Sequence, residues 1–230
     1  MLQSISEAMI ARTCRDSLVV MAGHYEVLQD GIYLYRGPRP TDGRWHRHGY
    51  LEIRPRGLLG GVLTSFTVRK QRWTRPDRSK TQHSRPPDDL GRRYDALVIA
   101  VTLLATIDAA VGLHRVERPY ATRRGGQGPS VRTVQRWLSW AQQHALRLHH
   151  ALRWAAMERC EPRPETLFPR GRSPPVQQQN RRWRDPSTVD KLWQGLAMVL
   201  KAASSLNVPT ATLLAEARGR WTLTDPLRNA

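Results

Sequence analysis

The longest apolar run in this chain extends from Ala96 to Leu113 and is broken by Thr102, Thr106 and Asp108. A membrane-spanning helix needs ~20 mostly apolar residues, so the run reads as a buried helix around which the rest must pack. Tyr94, Leu97, Val98, Val101, Leu104, Ile107 and Val111 recur at helical spacing. Pro86-Pro87-Asp88-Asp89 precedes them, and its aspartates suit a helix start by capping and by the dipole. Pro119 limits how far any helix from Ala109 can run. The first 18 residues lack the basic start and uninterrupted apolar core of a signal peptide. The expectation is a soluble, cytoplasmic protein.

Upstream the texture differs. Ser4 to Val20 has weak helical periodicity. Ile32–Tyr35, Tyr50–Ile53 and Val62–Val68 are short runs of β-formers punctuated by Pro38, Pro40, Gly43, Pro55 and the glycines at 57, 60 and 61. They predict a small antiparallel β-module, with Gly60-Gly61 as the hairpin turn between the Glu52 and Thr64 strands.

Downstream, a helix from Ser130 is predicted to continue to about Met157. Val134, Leu138, Ala141, Ala145, Leu148, Leu152 and Ala155 alternate four and three residues apart, a seam of coiled-coil type. The seam fits packing on residues 94–111, with a homodimer through residues 134–155 as the alternative. Prolines, three glutamines and Arg181-Arg182-Trp183-Arg184 mark a basic linker. Helices restart at Asp185-Pro186-Ser187 and at Pro209-Thr210. The expected architecture is α+β, mainly α: a β-rich module with a short N-terminal helix over 1–85, a helix-turn-helix core over 86–157, a linker over 158–184 and a C-terminal helical hairpin over 185–230.

The 37 Lys and Arg residues against 19 Asp and Glu give a formal net charge of +18. Such an excess calls for a polyanionic partner, nucleic acid before an anionic membrane surface. Gly125 to Arg136 offers the best-defined contact. Ser130 can cap a first helical turn, and Val131, Val134, Leu138 and Ala141 share one side. Arg132, Thr133, Gln135, Arg136 and Ser139 leave that side, with groups able to reach phosphates and base edges. Ser130, Arg132, Thr133, Gln135 and Arg136 are therefore candidate nucleic-acid-binding residues. Arg123, Arg124, Arg181, Arg182 and Arg184 are candidates for neutralising phosphates, with Trp183 among them as a further nucleic-acid-binding candidate. Trp45, Trp73, Trp183 and Trp221 lie near arginines and are candidates for stacking on unpaired bases. Trp137, Trp140, Trp154 and Trp193 fit core packing.

Arg39-Pro40-Thr41-Asp42-Gly43 and Arg75-Pro76-Asp77-Arg78-Ser79 both have the outline of a zinc knuckle, Cys-Pro-x-Cys-Gly, with every cysteine replaced. Arg47-His48-Gly49-Tyr50 follows the first; Val68 to Trp73 leads into the second, and Lys80-Thr81 through Pro86-Pro87 leaves it. Over roughly Gly43 to Trp140 the chain resembles bacterial insertion-sequence proteins that pair an N-terminal zinc ribbon with a helix-turn-helix, as transposases and their truncated relatives do. The resemblance is strongest at Gln71–Pro87 and Pro129–Trp140, and it implies sequence-directed binding to mobile-element DNA. Arginine at 39, 75 and 78 cannot ligate zinc, so a ribbon of this kind would stand on its sheet contacts alone. The loop from Pro119 to Gly128 is also longer than the motif's short turn. The missing cysteines also fit a decayed reading frame.

Other chemistry finds little support. Cys14 and Cys160 are the only cysteines. Cys14 with His24, His46 and His48 matches no standard zinc spacing; His46 and His48 read better as surface groups beside phosphates. His144, His149 and His150 lack the four-residue spacing of paired ligands. The few acidic residues do not suggest a converging metal site, and Gly125-Gly126-Gln127-Gly128 lacks the Lys-Ser/Thr of a phosphate loop. The expectation is a non-catalytic DNA-binding protein without metal or cofactor, its partner double-stranded DNA and not a membrane. An RNA-binding or ribonucleoprotein subunit and a metal-dependent nuclease are the alternatives.

Overall fold

The computed structural model of the chain describes residues 7–21, 23–88, 93–108, 120–122, 128–159 and 186–223. In chain order the elements are α1 (Glu7–Thr13), β1 (Glu26–Val27), β2 (Tyr33–Tyr35), β3 (His46–Ile53), β4 (Arg56–Leu59), β5 (Val62–Ser65), β6 (Val68–Thr74), β7 (Thr81–His83), α2 (Ala96–Asp108), β8 (Ala121–Thr122), α3 (Val131–Gln143), α4 (Ala145–Arg159), α5 (Pro186–Leu206) and α6 (Thr210–Leu223). No helix among the described residues is long and apolar enough to cross a membrane.

The Ala96 run forms α2, the centre of the core. Leu97, Val98, Val101, Leu103, Leu104 and Ile107 are all buried. A helix apolar around its whole circumference must be enclosed: β4, α3, α5 and α6 pack on it, while α4 packs along α5 and α6. Its threonines satisfy themselves. Thr102 Oγ1 donates to Val98 O at 2.6 Å and Thr106 Oγ1 to Thr102 O at 2.7 Å, so no hydroxyl is buried unpaired. The helix starts later than expected. Asp95 is the cap, its Oδ1 accepting from Val98 N–H at 2.9 Å, whereas Asp88 accepts the Tyr25 hydroxyl at 2.6 Å.

The class is α+β, but the expected arrangement is overturned. The β-module is not a small antiparallel unit. One sheet has the order β1-β2-β6-β3, with β7 also on β6, and β2 runs parallel to β6. A second sheet has the order β4-β5-β8, with β8 parallel to β5 although it follows α2 in the chain. Gly60 and Gly61, at φ +60° and +78°, do turn a two-residue hairpin, but it joins β4 to β5. The Glu52 strand pairs with β6 instead.

The helix-turn-helix core is also corrected. Residues 109–130, β8 among them, separate α2 from α3, where that motif needs a turn of about 3–4 residues. The single helix expected from Ser130 to Met157 breaks at His144, which leaves helical geometry at φ −115°, ψ 13°. The last two helices do not form a separate hairpin, because both pack on α4. The seam residues Val134, Leu138, Ala141, Leu152 and Ala155 are buried in the chain's own core; Ala145 is also buried, and Leu148 packs against that core partly buried.

Sheet and helices meet at β4. Leu58 N–H donates to Ser17 Oγ at 2.6 Å, and Ser17 N–H donates to Leu58 O at 2.9 Å. Arg56 N–H donates to Arg93 O at 2.8 Å, and Asp95 N–H donates to Arg56 O at 2.9 Å. Between them Gly57 passes so close that a Cβ would overlap Asp95 Oδ2 and stand 2.6 Å from Ser17 Oγ. Gly57→Ala is expected to destabilise the chain by ~1–3 kcal/mol through overpacking, read from urea denaturation.

Asp95 Oδ2 is buried without a hydrogen-bond partner among the described residues. Burial raises its carboxyl from 3.8 to about 7, against the pull of Ser17 and of the Val98 and Leu97 amides. The native chain therefore holds a proton that the unfolded chain releases between pH ~4 and ~7, and this group's stabilisation falls as pH rises through that window. The shift corresponds to something on the order of 4 kcal/mol. Asn also caps helices, so Asp95→Asn is expected to gain on wild type steadily from pH 4 to 7. A stability difference that is constant over that range would contradict this assignment.

Candidate nucleic-acid interface

The start of α3 is built by its sequence. Ser130 sits at φ −66°, ψ 157°, and its Oγ accepts the Thr133 N–H at 3.2 Å, closing one orphan donor of the first turn. The Thr133 hydroxyl lies 2.9 Å from the same oxygen. Val134, Trp137, Leu138 and Ala141 are buried and fix the rotation of the helix. Trp137 meets Tyr94 edge to face at 5.2 Å, which ties α3 to the start of α2.

That rotation turns the polar residues outward. Arg132, Arg136, Ser139 and Gln143 are exposed, and their spacing makes one stripe along the helix. Gln135 and Thr133 are half-buried at its margin, and Val131 is exposed beside Arg132. No ion pair or hydrogen bond among the described residues engages the guanidinium of Arg132 or Arg136. Both are exposed, with no carboxylate partner among the described residues, the state a phosphate contact requires. The structure thus gathers Ser130, Arg132, Thr133, Gln135 and Arg136 on one helix. Arg123, Arg124, Arg181, Arg182, Trp183 and Arg184 lie outside the described residues.

Two of the tryptophans expected to stack on bases are used differently. Trp45 and Trp73 are buried, at 1% and 7% exposure, so neither offers a ring face to an unpaired base. Their faces are covered by the chain's own cations. The Arg75 guanidinium stands 5.4 Å and the Lys80 ammonium 6.0 Å from the Trp45 ring, and Arg47 stands 6.0 Å from Trp73. Trp137 and Trp193 are core residues, and Trp140 and Trp154 pack against the core.

The two knuckle-like turns lie together. Arg75 reaches from the second turn to the first, 3.6 Å from Asp42 Oδ2, while its Nη2 donates to Asp42 O at 3.4 Å. Lys80 approaches the same carboxylate at 3.8 Å. Trp45 Nε1–H donates to Asp42 O at 3.1 Å. A carboxylate, two cations and an indole therefore cross-link the turns.

Among the described residues no group of three or more His, Cys, Asp or Glu is arranged to hold a metal ion. Cys14 is buried against Thr210 and its thiol is pushed up by that burial, while His24, His46 and His48 are exposed. On α4 burial lowers the His149 pKa, and its Nδ1 lies 3.0 Å from Lys191 O.

Sequence reasoning did not assemble a second cationic cluster. Arg36, Arg39, His46 and Arg47 line an open groove of about 570 Å3 on the larger sheet. They are close because β2 and β3 flank β6 on either side, long-range pairings that the sequence pattern leaves free. No protein-family model, no curated protein and no solved structure matches this chain.

Ser130 carries both a cap and a place beside the cationic stripe. Ser130→Ala is expected to cost ~1 kcal/mol of stability. Ser130→Asp is expected to keep the cap, and so the melting temperature, while weakening nucleic-acid binding by repulsion. Thermal denaturation and anisotropy titration of the two variants check the pair.

Proposed function

We propose that this chain is a non-catalytic DNA-binding protein that contacts duplex DNA through the exposed face of α3. The observation that carries the reading is the stripe of Arg132 and Arg136. Both guanidinium groups are exposed and unpaired among the described residues, in a chain of net charge +18. An α-helix fits the B-DNA major groove, which is about 12 Å wide. Arg132 and Arg136 are positioned one helical turn apart to reach phosphates or guanine edges, with Gln135 between them. The capped N-terminus adds a favourable end for a phosphate.

The side-by-side turns of Asp42 and Arg75 support the further reading that the module is of the insertion-sequence type, with an ionic cross-link where such proteins carry metal. The described residues also favour a duplex over a single strand as the target of the sheet side, since Trp45 and Trp73 are buried and cannot stack on bases.

Arg132→Gln/Arg136→Gln is expected to bind duplex DNA about tenfold or more weakly and to lower the slope of log K against log salt by about 1.8, since each lost phosphate contact removes ~0.9. Fluorescence anisotropy with a labelled duplex over about 50 to 200 mM salt reads both. Wild-type affinity and slope in the double variant would end the α3 reading. Tighter binding of wild type to structured RNA than to duplex DNA would favour the ribonucleoprotein alternative.

A further inference from the structure

The groove on the larger sheet is a built feature. Its floor is rigid: Gln71 is buried at 3% exposure, and its amide nitrogen donates to Gly49 O at 3.0 Å and to Arg72 O at 2.9 Å. These bonds hold an irregularity in β3, where the register shifts between Arg47 and Tyr50 and Gly49 takes φ +70°. Trp73 completes the floor, its indole N–H donating to Ser84 Oγ at 3.1 Å. One wall is the segment after β2, which lies so tightly on the sheet that a Cβ on Gly37 would stand 2.6 Å from Ser84 Cβ. That segment carries Arg36 and Arg39. The other wall is the start of β3, with His46 and Arg47.

Charge is what distinguishes this groove. Its lining holds Arg36, Arg39 and Arg47 together with His46, and no Asp or Glu among the described residues. Glu26 reaches in only to Arg36, at 2.8 Å. Among the described residues no hydrogen bond or ion pair engages the Arg39 side chain, and the Arg47 guanidinium meets only the Trp73 ring at 6.0 Å. Like charges gathered around one cleft repel one another, and a bound anion relieves that repulsion. The buried Trp rings leave no face for a base, so the groove offers charge without a means of reading sequence.

We infer that this groove is a second nucleic-acid contact, taking the phosphodiester backbone on Arg39 and Arg47 with Arg36 and His46 at its edge. It rests on the proposed DNA-binding function and extends it. The sheet supplies sequence-independent affinity, and α3 supplies the contacts that reach base edges. The chain then holds a duplex at two cationic surfaces on different layers of the fold.

Arg39→Gln/Arg47→Gln in the full chain tests the assignment, with Arg39→Lys/Arg47→Lys as the charge-conserving control and circular dichroism melting for each. Anisotropy titrations use a labelled random-sequence duplex and a labelled single strand over about 50 to 200 mM salt. The expected result is a Gln/Gln variant that melts like wild type and loses about 1.8 from the duplex salt slope, or about 1.4 for the single strand. The Lys/Lys variant is expected to retain the wild-type slope. An unchanged slope in Gln/Gln, with the Arg132→Gln/Arg136→Gln variant weakened, overturns the groove and leaves the α3 reading standing. The converse, a lowered slope in Gln/Gln and none in the α3 variant, supports the groove and removes α3. Wild type binding neither probe overturns both.

Discussion

The strand β4 holds the molecule together. It is bonded on one side to Ser17 and on the other to the turn that caps α2, so a sheet and a helical core share one set of buried hydrogen bonds. Such bonds are strong in a dry environment and costly to leave unmade. Gly57 is required there because Asp95 and Ser17 close over its α-carbon. The Asp95 carboxyl, kept protonated by burial to about pH 7, is part of that closure. The α3 surface is tied to the junction, because α3 packs on α2. The other cationic surface is carried by the larger sheet, to which β4 does not belong.

A chain with this much positive charge folds by sorting its cations. Some are spent internally: Arg75 and Lys80 share Asp42 and cover Trp45, Arg159 pairs with Glu216, and Arg220 lies 4.0 Å from the Trp154 ring. These contacts are exposed or half-exposed and each adds little to stability. What they do is leave a distinct remainder. Arg132 and Arg136 on α3, and Arg39 and Arg47 at the sheet groove, are exposed and paired with no carboxylate among the described residues. Their self-repulsion is tolerable on a surface and becomes an attraction when a phosphate backbone arrives.

Local chemistry was legible in the sequence, and long-range pairing was not. Ser130 caps α3 as its type and position predict, because a cap is settled within three residues. The apolar run at Ala96 is buried, and Gly60-Gly61 turns a hairpin. Asp88 misled as a helix start because its rival Asp95 lies seven residues on and Tyr25, just before β1, claims Asp88 from far along the chain. The break at His144 left no trace in the seam: Ala141 and Ala145 stay four apart and both are buried, so the apolar spacing is the same with or without it. The helix-turn-helix outline failed on residues 109–130, where β8 adds to a strand formed far earlier in the chain. Trp45 and Trp73 looked like stacking platforms because adjacent arginines are visible in sequence, while the direction of the rings is set by strand pairing. The groove of Arg39 and Arg47 needed β3 beside β6, a register no pattern in either strand specifies.

The central claim is that Arg132 and Arg136 meet a nucleic-acid backbone directly. Arginine-selective labelling with phenylglyoxal, read by mass spectrometry with and without a saturating duplex, addresses it at the residues themselves. Both should label readily in the free chain and lose most of that labelling when duplex is bound, while an arginine committed internally, such as Arg159 on Glu216, keeps its rate. Full-rate labelling of Arg132 and Arg136 in a chain shown to be saturated with DNA would contradict the account.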